Sequence, residues 1–274
     1  MPELPEVETI RSGLAPLIEK QQIKQIIVRN PNLRWPITAE LPRILKKQHV
    51  YQLMRRSKYL VFKCDNGAVL LHLGMSGRLR WLDKTAKPVV VIGPHDHVDF
   101  VFQTGDILRY TDPRRFGSIH WTEDWINHAL IQHLGPEPLS PSFTADYLYS
   151  IGQKRKSPIK LLIMNAQIVV GVGNIYANEA LFQARIKPTT LSNTVSAKQY
   201  AKLHKAIQQV LVKAIKAGGT TLKDFKDGHG QAGYFQNSLS VYGQENQPCI
   251  KCRTPICREV LGQRATYFCP TCQK

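Results

Sequence analysis

Four cysteines constrain this chain more than any other feature: Cys249-x2-Cys252 and Cys269-x2-Cys272 stand sixteen residues apart. Two such knuckles supply four thiolates to one tetrahedral zinc. The segment that carries them is too short to fold by apolar burial, so metal binding would supply its folding energy. Two disulfides are the other use of four cysteines. The chain start argues against them, because Glu3, Glu6 and Glu8 precede any apolar run, the reverse of a basic secretion signal. Four sulfur ligands leave no open position, so the expected zinc is structural. Cys64, in a β-rich run, and Cys257, with no Cys-x2-Cys partner, read as buried or spare thiols.

The rest of the chain is long enough for more than one core. It has 274 residues, 43% of them hydrophobic, which excludes general disorder. No apolar stretch approaches the ~18 residues of a membrane-spanning helix, so a soluble, cytoplasmic protein is expected. The formal charge is +17, unevenly spread. Residues 1–150 hold 19 basic and 15 acidic side chains, whereas residues 151–274 hold 18 and 5. A one-signed excess interleaved with aromatic and apolar residues points to a polyanion, and to nucleic acid before an acidic membrane.

Val7, Ile10, Leu14, Leu17 and Ile18 recur at helical spacing and predict a helix over the first ~20 residues. From Ile23 to about His120 the pattern is short β-rich runs: 26–29, 59–63, 69–73, 89–92, 98–102 and 107–110. Asp65-Asn66-Gly67 and Thr104-Gly105-Asp106 serve as turns, which suggests an antiparallel sandwich or barrel. Past the Pro-rich stretch 135–141 the pattern turns helical at 159–164, 175–184 and 198–217, with Ser196 as N-cap and Gly218-Gly219 as stop. The Gly-rich segment 218–240 reads as a mobile loop. The division expected is 1–135, a β-sandwich domain; 136–239, a helical domain with that loop; and 240–274, the zinc unit.

Several blocks occur in one order: Pro2-Glu3-Leu4-Pro5-Glu6, Arg56-Ser57-Lys58-Tyr59-Leu60, His72-Leu73-Gly74-Met75-Ser76-Gly77, and Asp112-Pro113-Arg114-Arg115-Phe116-Gly117. Gly171-Val172-Gly173-Asn174-Ile175-Tyr176-Ala177 and the cysteine unit with Gln263-Arg264 complete the set. Together they resemble the bacterial formamidopyrimidine-DNA glycosylase family, from Pro2 to Cys272. The resemblance implies an α+β multidomain fold: an antiparallel β-sandwich with flanking helices, a helix–two-turns–helix domain and a zinc-finger β-hairpin. It implies a monomeric glycosylase and abasic-site lyase acting on damaged double-stranded DNA, at the bacterial nucleoid.

Residue roles follow from the same resemblance. Removal of Met1 would expose Pro2, whose nitrogen would attack C1′ of the damaged nucleotide. An α-amino group titrates near ~8 against ~10.4 for lysine, so a terminal amine is the readier nucleophile. Glu3 would be the general acid; by pattern alone it is equally a helix N-terminal acid. Lys58 would donate a proton during elimination, although by pattern it is one more solvated charge. Arg264 would grip phosphates and assist the second elimination.

Asn174, at a turn opening a helix at Ile175, would hold a phosphate, and Lys160 is a candidate for the same backbone. Met75 would fill the vacated stack, Arg114 face the orphaned cytosine and Phe116 wedge beside it. Without the resemblance, Met75 and Phe116 would read as core. His72, His95 and Arg155 match DNA-contacting positions; Arg155 replaces a usual lysine within Lys154–Lys156. His95-Asp96-His97 is not expected to bind a metal, because alternate strand residues face opposite sides.

Two rivals stand beside this reading. Endonuclease VIII, the sister glycosylase for oxidised pyrimidines, is disfavoured by Leu4 and by Arg114-Arg115-Phe116. A non-catalytic zinc-finger DNA-binding protein accounts for charge and cysteines but leaves Pro2, Glu3 and Lys58 idle.

Overall fold

Leu4, Val7, Ile10, Leu14 and Ile18 are all buried on one side of α1 (Leu4–Ile18) in the computed structural model, which describes residues 2–85, 91–219 and 239–274. Glu3 is the N-cap, and Glu6 Oε2 accepts from the Glu3 N–H at 2.8 Å, the return half of a capping box.

The strands that follow are β1 (Gln21–Val28), β2 (His49–Val50), β3 (Gln52–Arg56), β4 (Tyr59–Cys64), β5 (Gly67–His72), β6 (Arg78–Leu82), β7 (Asp96–Phe102), β8 (Ile107–Thr111) and β9 (Ser118–Thr122), with the short helix α2 (Leu41–Leu45) after β1. They form two antiparallel sheets, ordered β2-β1-β7-β8-β6 and β3-β4-β5-β9. Phe62 of β4 stacks on Phe100 of β7 with centroids 5.9 Å apart, and one apolar cluster joins both sheets to α1. This is a sandwich core.

Runs 59–63, 69–73, 98–102 and 107–110 are strands, and Asp65-Asn66 is the two-residue turn between β4 and β5. Run 26–29 belongs to a strand that starts earlier, at Gln21. The expectation for 89–92 fails where it is visible: Val91 and Ile92 are exposed and outside any strand, while Val89 and Val90 lie outside the described residues.

The described residues gather into two compact units, 2–132 with Gly218 and Gly219, and 133–217 with 239–274. The second is helical: α3 (Ala145–Gln153), α4 (Ile159–Met164), α5 (Asn174–Ala184) and α6 (Ala197–Lys216). Ser196 caps α6 by accepting from the Gln199 N–H, and Tyr200, Leu203, Ile207, Val210 and Leu211 line its buried face. The chain closes with the hairpin β10 (Cys257–Leu261) and β11 (Arg264–Phe268). Its turn residues, Gly262 and Gln263, both have positive φ, as a tight hairpin requires. The fold is mixed α+β. No helix among the described residues is long and apolar enough to cross a membrane.

Candidate functional site

In the first unit, Pro2 and Glu3 are buried at the start of α1. Two long-range contacts clamp that helix to β3. Glu8 Oε2 accepts from Arg55 Nε at 2.8 Å, and Glu19 Oε1 accepts from the Leu53 N–H at 2.8 Å. Arg55 Nη1 also donates to the Ser57 carbonyl at 3.0 Å, in the two-residue turn that carries Lys58. One guanidinium therefore ties the N-terminal helix to the lysine-bearing turn, a link that spacing along the chain does not reveal.

His72, at the end of β5, lies against Tyr59 with ring centroids 4.9 Å apart. Burial pushes its imidazole down to about 4, assisted by the charges of Lys58 and Arg34 and opposed by Asp112. His72 is thus neutral at pH 7, and its Nδ1 accepts from the Gly74 N–H at 3.0 Å. Arg34 was not anticipated. Its guanidinium sits 4.6 Å from the Trp35 ring centroid, and the Arg34 backbone N–H donates to the Gly117 carbonyl at 3.2 Å. An Arg-Trp pair in so basic a chain was the available signal.

Met75 and Phe116 are 37% and 45% exposed, so neither is core. Arg114 lies 4.8 Å over the Phe116 ring. His95 is exposed, and its carbonyl accepts from the Asp112 N–H at 3.0 Å. Asp96 and His97 turn away into other bonds. Asp96 accepts from Arg80, Arg109, Thr111 and the Gly93 N–H, while His97 Nε2 bonds the Asp112 carbonyl at 2.8 Å.

In the second unit, Lys154, Arg155 and Lys156 are all exposed just past α3. Helix α5 begins at Asn174 with Gly173 as N-cap, one residue earlier than expected. Asn174 Nδ2 donates to the Ala265 carbonyl at 3.0 Å, whereas its Oδ1 is buried with no hydrogen-bond partner among the described residues. Lys160 departs from the expectation of a phosphate contact. It is fully buried, and its Nζ donates to the Ala265 carbonyl at 3.1 Å and to Thr266 Oγ1 at 2.6 Å. Its bonds go to β11 because burying an ammonium without partners is costly. Arg264, the residue before Ala265, is exposed.

Cys249, Cys252, Cys269 and Cys272 bring their sulfurs within 4.8 Å of one another, all as free thiols. Tetrahedral Zn–S bonds of ~2.3 Å demand sulfur separations of about 3.8 Å, so the set fits one structural zinc. The Lys251 and Cys272 N–H groups donate to the Cys249 and Cys269 sulfurs at 3.4 Å, which suits thiolates. Of the other cysteines, Cys64 is buried and its thiol is pushed up to about 12 by that burial. Cys257, on β10, is partly exposed. Residues 220–238 of the Gly-rich segment expected to form a mobile loop lie outside the described residues.

Comparison with known proteins covers the whole chain. Residues 1–119 match a family described as the formamidopyrimidine-DNA glycosylase N-terminal domain, and 134–226 its H2TH domain. Residues 246–274 match a zinc finger found in FPG and IleRS. A formamidopyrimidine-DNA glycosylase of Hydrogenovibrio crunogenus is 51% identical, over 100% of this chain and 97% of that protein. One from Marinomonas sp. is 50% identical over 100% of both. Among solved structures, MutM (FPG) from Thermus thermophilus superposes with a TM-score of 0.87 at 35% identity, covering 99% of this chain and 98% of that one. A Lactococcus lactis FPG mutant in complex with Fapy-dG containing DNA gives 0.90 at 32% identity, covering 100% of both.

Proposed function

The chain belongs to the formamidopyrimidine-DNA glycosylase family, and we propose that it excises oxidised purines (8-oxoguanine and formamidopyrimidines) from duplex DNA and then cuts the strand. It is a DNA glycosylase of base excision repair. The observation that carries the substrate reading is the exposure of Met75 and Phe116, with Arg114 over the Phe116 ring. What sets this group apart from scattered exposed apolar residues is that two such side chains and a stacked guanidinium sit on turns whose backbones touch. A duplex from which one nucleotide has been extruded has a hole of that chemistry.

With Met1 removed, Pro2 would offer a secondary amine. Attack of its nitrogen on C1′ breaks the bond to the base, and opening of the sugar at O4′ leaves an iminium. Glu3, its neighbour at the cap of α1, is the carboxyl for the proton that ring opening requires. Lys58, on the turn tied to α1 through Arg55, serves the following elimination, in which loss of a C2′ proton expels the 3′ phosphate. Elimination of the 5′ phosphate completes the cut.

Met75 would occupy the vacated stack, Arg114 the orphaned base and Phe116 the gap beside it; His72 and His95 line the same unit's DNA-facing side. From the second unit, Arg155, Asn174 and Arg264 would hold phosphates. Its zinc would fix the β10–β11 hairpin and supply no bond-breaking chemistry. The protein would act as a monomer on double-stranded DNA at the nucleoid, with domains 1–135, 136–239 and 240–274. Single-turnover excision from duplexes carrying 8-oxoguanine or thymine glycol tests the reading. Faster release of 8-oxoguanine is expected. Preference for thymine glycol would replace it by the endonuclease VIII reading, and binding without excision or nicking would overturn both.

A further inference from the structure

Asp112 is fully buried, and no ammonium or guanidinium donates to its carboxyl oxygens among the described hydrogen bonds. Its oxygens are spent on joining pieces of chain. Oδ1 accepts from Ser76 Oγ at 2.6 Å, while Oδ2 accepts from Tyr110 Oη at 3.0 Å and the Gly117 N–H at 2.9 Å. Ser76 in turn accepts from the Arg114 N–H at 3.2 Å. Burial and the Asp112 charge push the Tyr110 phenol up, so Tyr110 always presents its proton. The turn bearing Met75 and the turn bearing Arg114 and Phe116 therefore meet on one carboxylate.

The glycines around it leave no slack. A Cβ at Gly117 would stand 1.8 Å from Tyr110 Oη, and one at Gly74, which has φ +65°, would stand 2.4 Å from the Phe116 carbonyl carbon. The backbones of the two turns are in contact. Any shift of one displaces the other.

We propose, on the reading that Met75, Arg114 and Phe116 enter the duplex, that Asp112 is a positioning residue that makes these side chains a single rigid wedge. An unpaired buried carboxylate is expensive. Here three donors offset that cost, and the result is registry between two turns that sequence separates by nearly forty residues. A wedge matters most while a stacked, paired nucleotide is being extruded. It matters least at an abasic site, where no base has to leave the stack. Asp112 would therefore govern excision of 8-oxoguanine and leave Schiff-base formation at a ready-made abasic site nearly intact.

Asp112→Asn is the first test, because it is isosteric but removes the charge and one acceptor. An amide nitrogen at Oδ2 faces the Gly117 donor. At Oδ1 it faces Ser76, whose hydroxyl must give up its donated bond and turn away to accept instead. Rates are taken per active site, counted by borohydride trapping on abasic duplex, so that misfolded protein drops out. Excision from 8-oxoguanine·cytosine duplex is expected to fall about thirtyfold or more, with trapping at an abasic site changed by less than about threefold. Ser76→Ala and Tyr110→Phe, each removing one donor, should show the same selective loss at about three- to tenfold. 2-Aminopurine beside the lesion should report slower unstacking in all three. Met75→Ala and Phe116→Ala run alongside: if they leave excision unchanged, the wedge reading itself fails. If they slow it while Asp112→Asn, Ser76→Ala and Tyr110→Phe reduce both substrates equally or neither, Asp112 has no positioning role.

Discussion

The β-sandwich and the cysteine hairpin hold their functional side chains by opposite means. In the sandwich, an apolar cluster running through both sheets and α1 supplies the stability, and polar contacts such as Glu8–Arg55 only set where turns sit. In the hairpin the apolar cluster comes down to Phe182, Val241, Cys249, Ile256 and Cys269, two of them metal ligands. Shape there comes from the zinc and from buried polar clamps contributed by α4 and α5: Lys160 to Ala265 and Thr266, Asn174 to Ala265, and Asn178 to the Tyr267 N–H. The lesson is that a small unit can carry a precisely placed arginine if metal and hydrogen bonds replace the missing core.

The sharpest break in the comparison is metal removal. Structural zinc contributes about 10–16 kcal/mol in small units of this kind. Chelation, or Cys269→Ala, is expected to abolish amide protection across 249–273 while β4 and β5 keep theirs, as hydrogen exchange would read. Retained protection in the hairpin would mean that its fold does not depend on the metal. The converse is Phe62→Ala, which removes the partner of Phe100 in the sandwich and should cost about 3–5 kcal/mol there. Hairpin exchange should not respond to it.

Lys160→Met probes the clamp. Loss of two charge-assisted bonds should weaken the hairpin by about 1.5–3 kcal/mol. DNA affinity should drop with the salt slope unchanged, since a fully buried ammonium neutralises no phosphate. Arg264→Ala should instead lower that slope by ~1. A lowered slope for Lys160→Met would restore it to the phosphate contacts.

The smallest effect belongs to His72. Its folded value of about 4 lies below the usual ~6.5, so between those values the unfolded chain binds a proton that the native one does not. Stability from this group is complete above about pH 6.5 and is lost as pH falls toward 4, by about 1–3 kcal/mol. His72→Gln should flatten that part of the pH–stability curve; an unaltered slope would show that the imidazole titrates normally.

What the sequence disclosed follows the same division. Local signals were readable: Ser196 as the cap of α6, the helical spacing from Val7 to Ile18, the Asp65-Asn66 turn and the paired knuckles. Helix α3 escaped because its sequence, ADYLYSIGQ, mixes aromatic, polar and glycine residues. Residue type misled at Lys160, where a charge implies solvent, and at Met75 and Phe116, where apolar side chains imply core. Arg55, Asp112 and Arg34 act through partners dozens of residues away, which periodicity cannot register.

The Pro2 nitrogen is the atom on which the proposed chemistry turns. After borohydride reduction with abasic duplex, proteolysis and mass spectrometry should find the nucleotide remnant on the peptide that begins at Pro2, with Met1 absent. A remnant on Lys58 or any other lysine, or undiminished trapping by a protein extended ahead of Pro2, would contradict it.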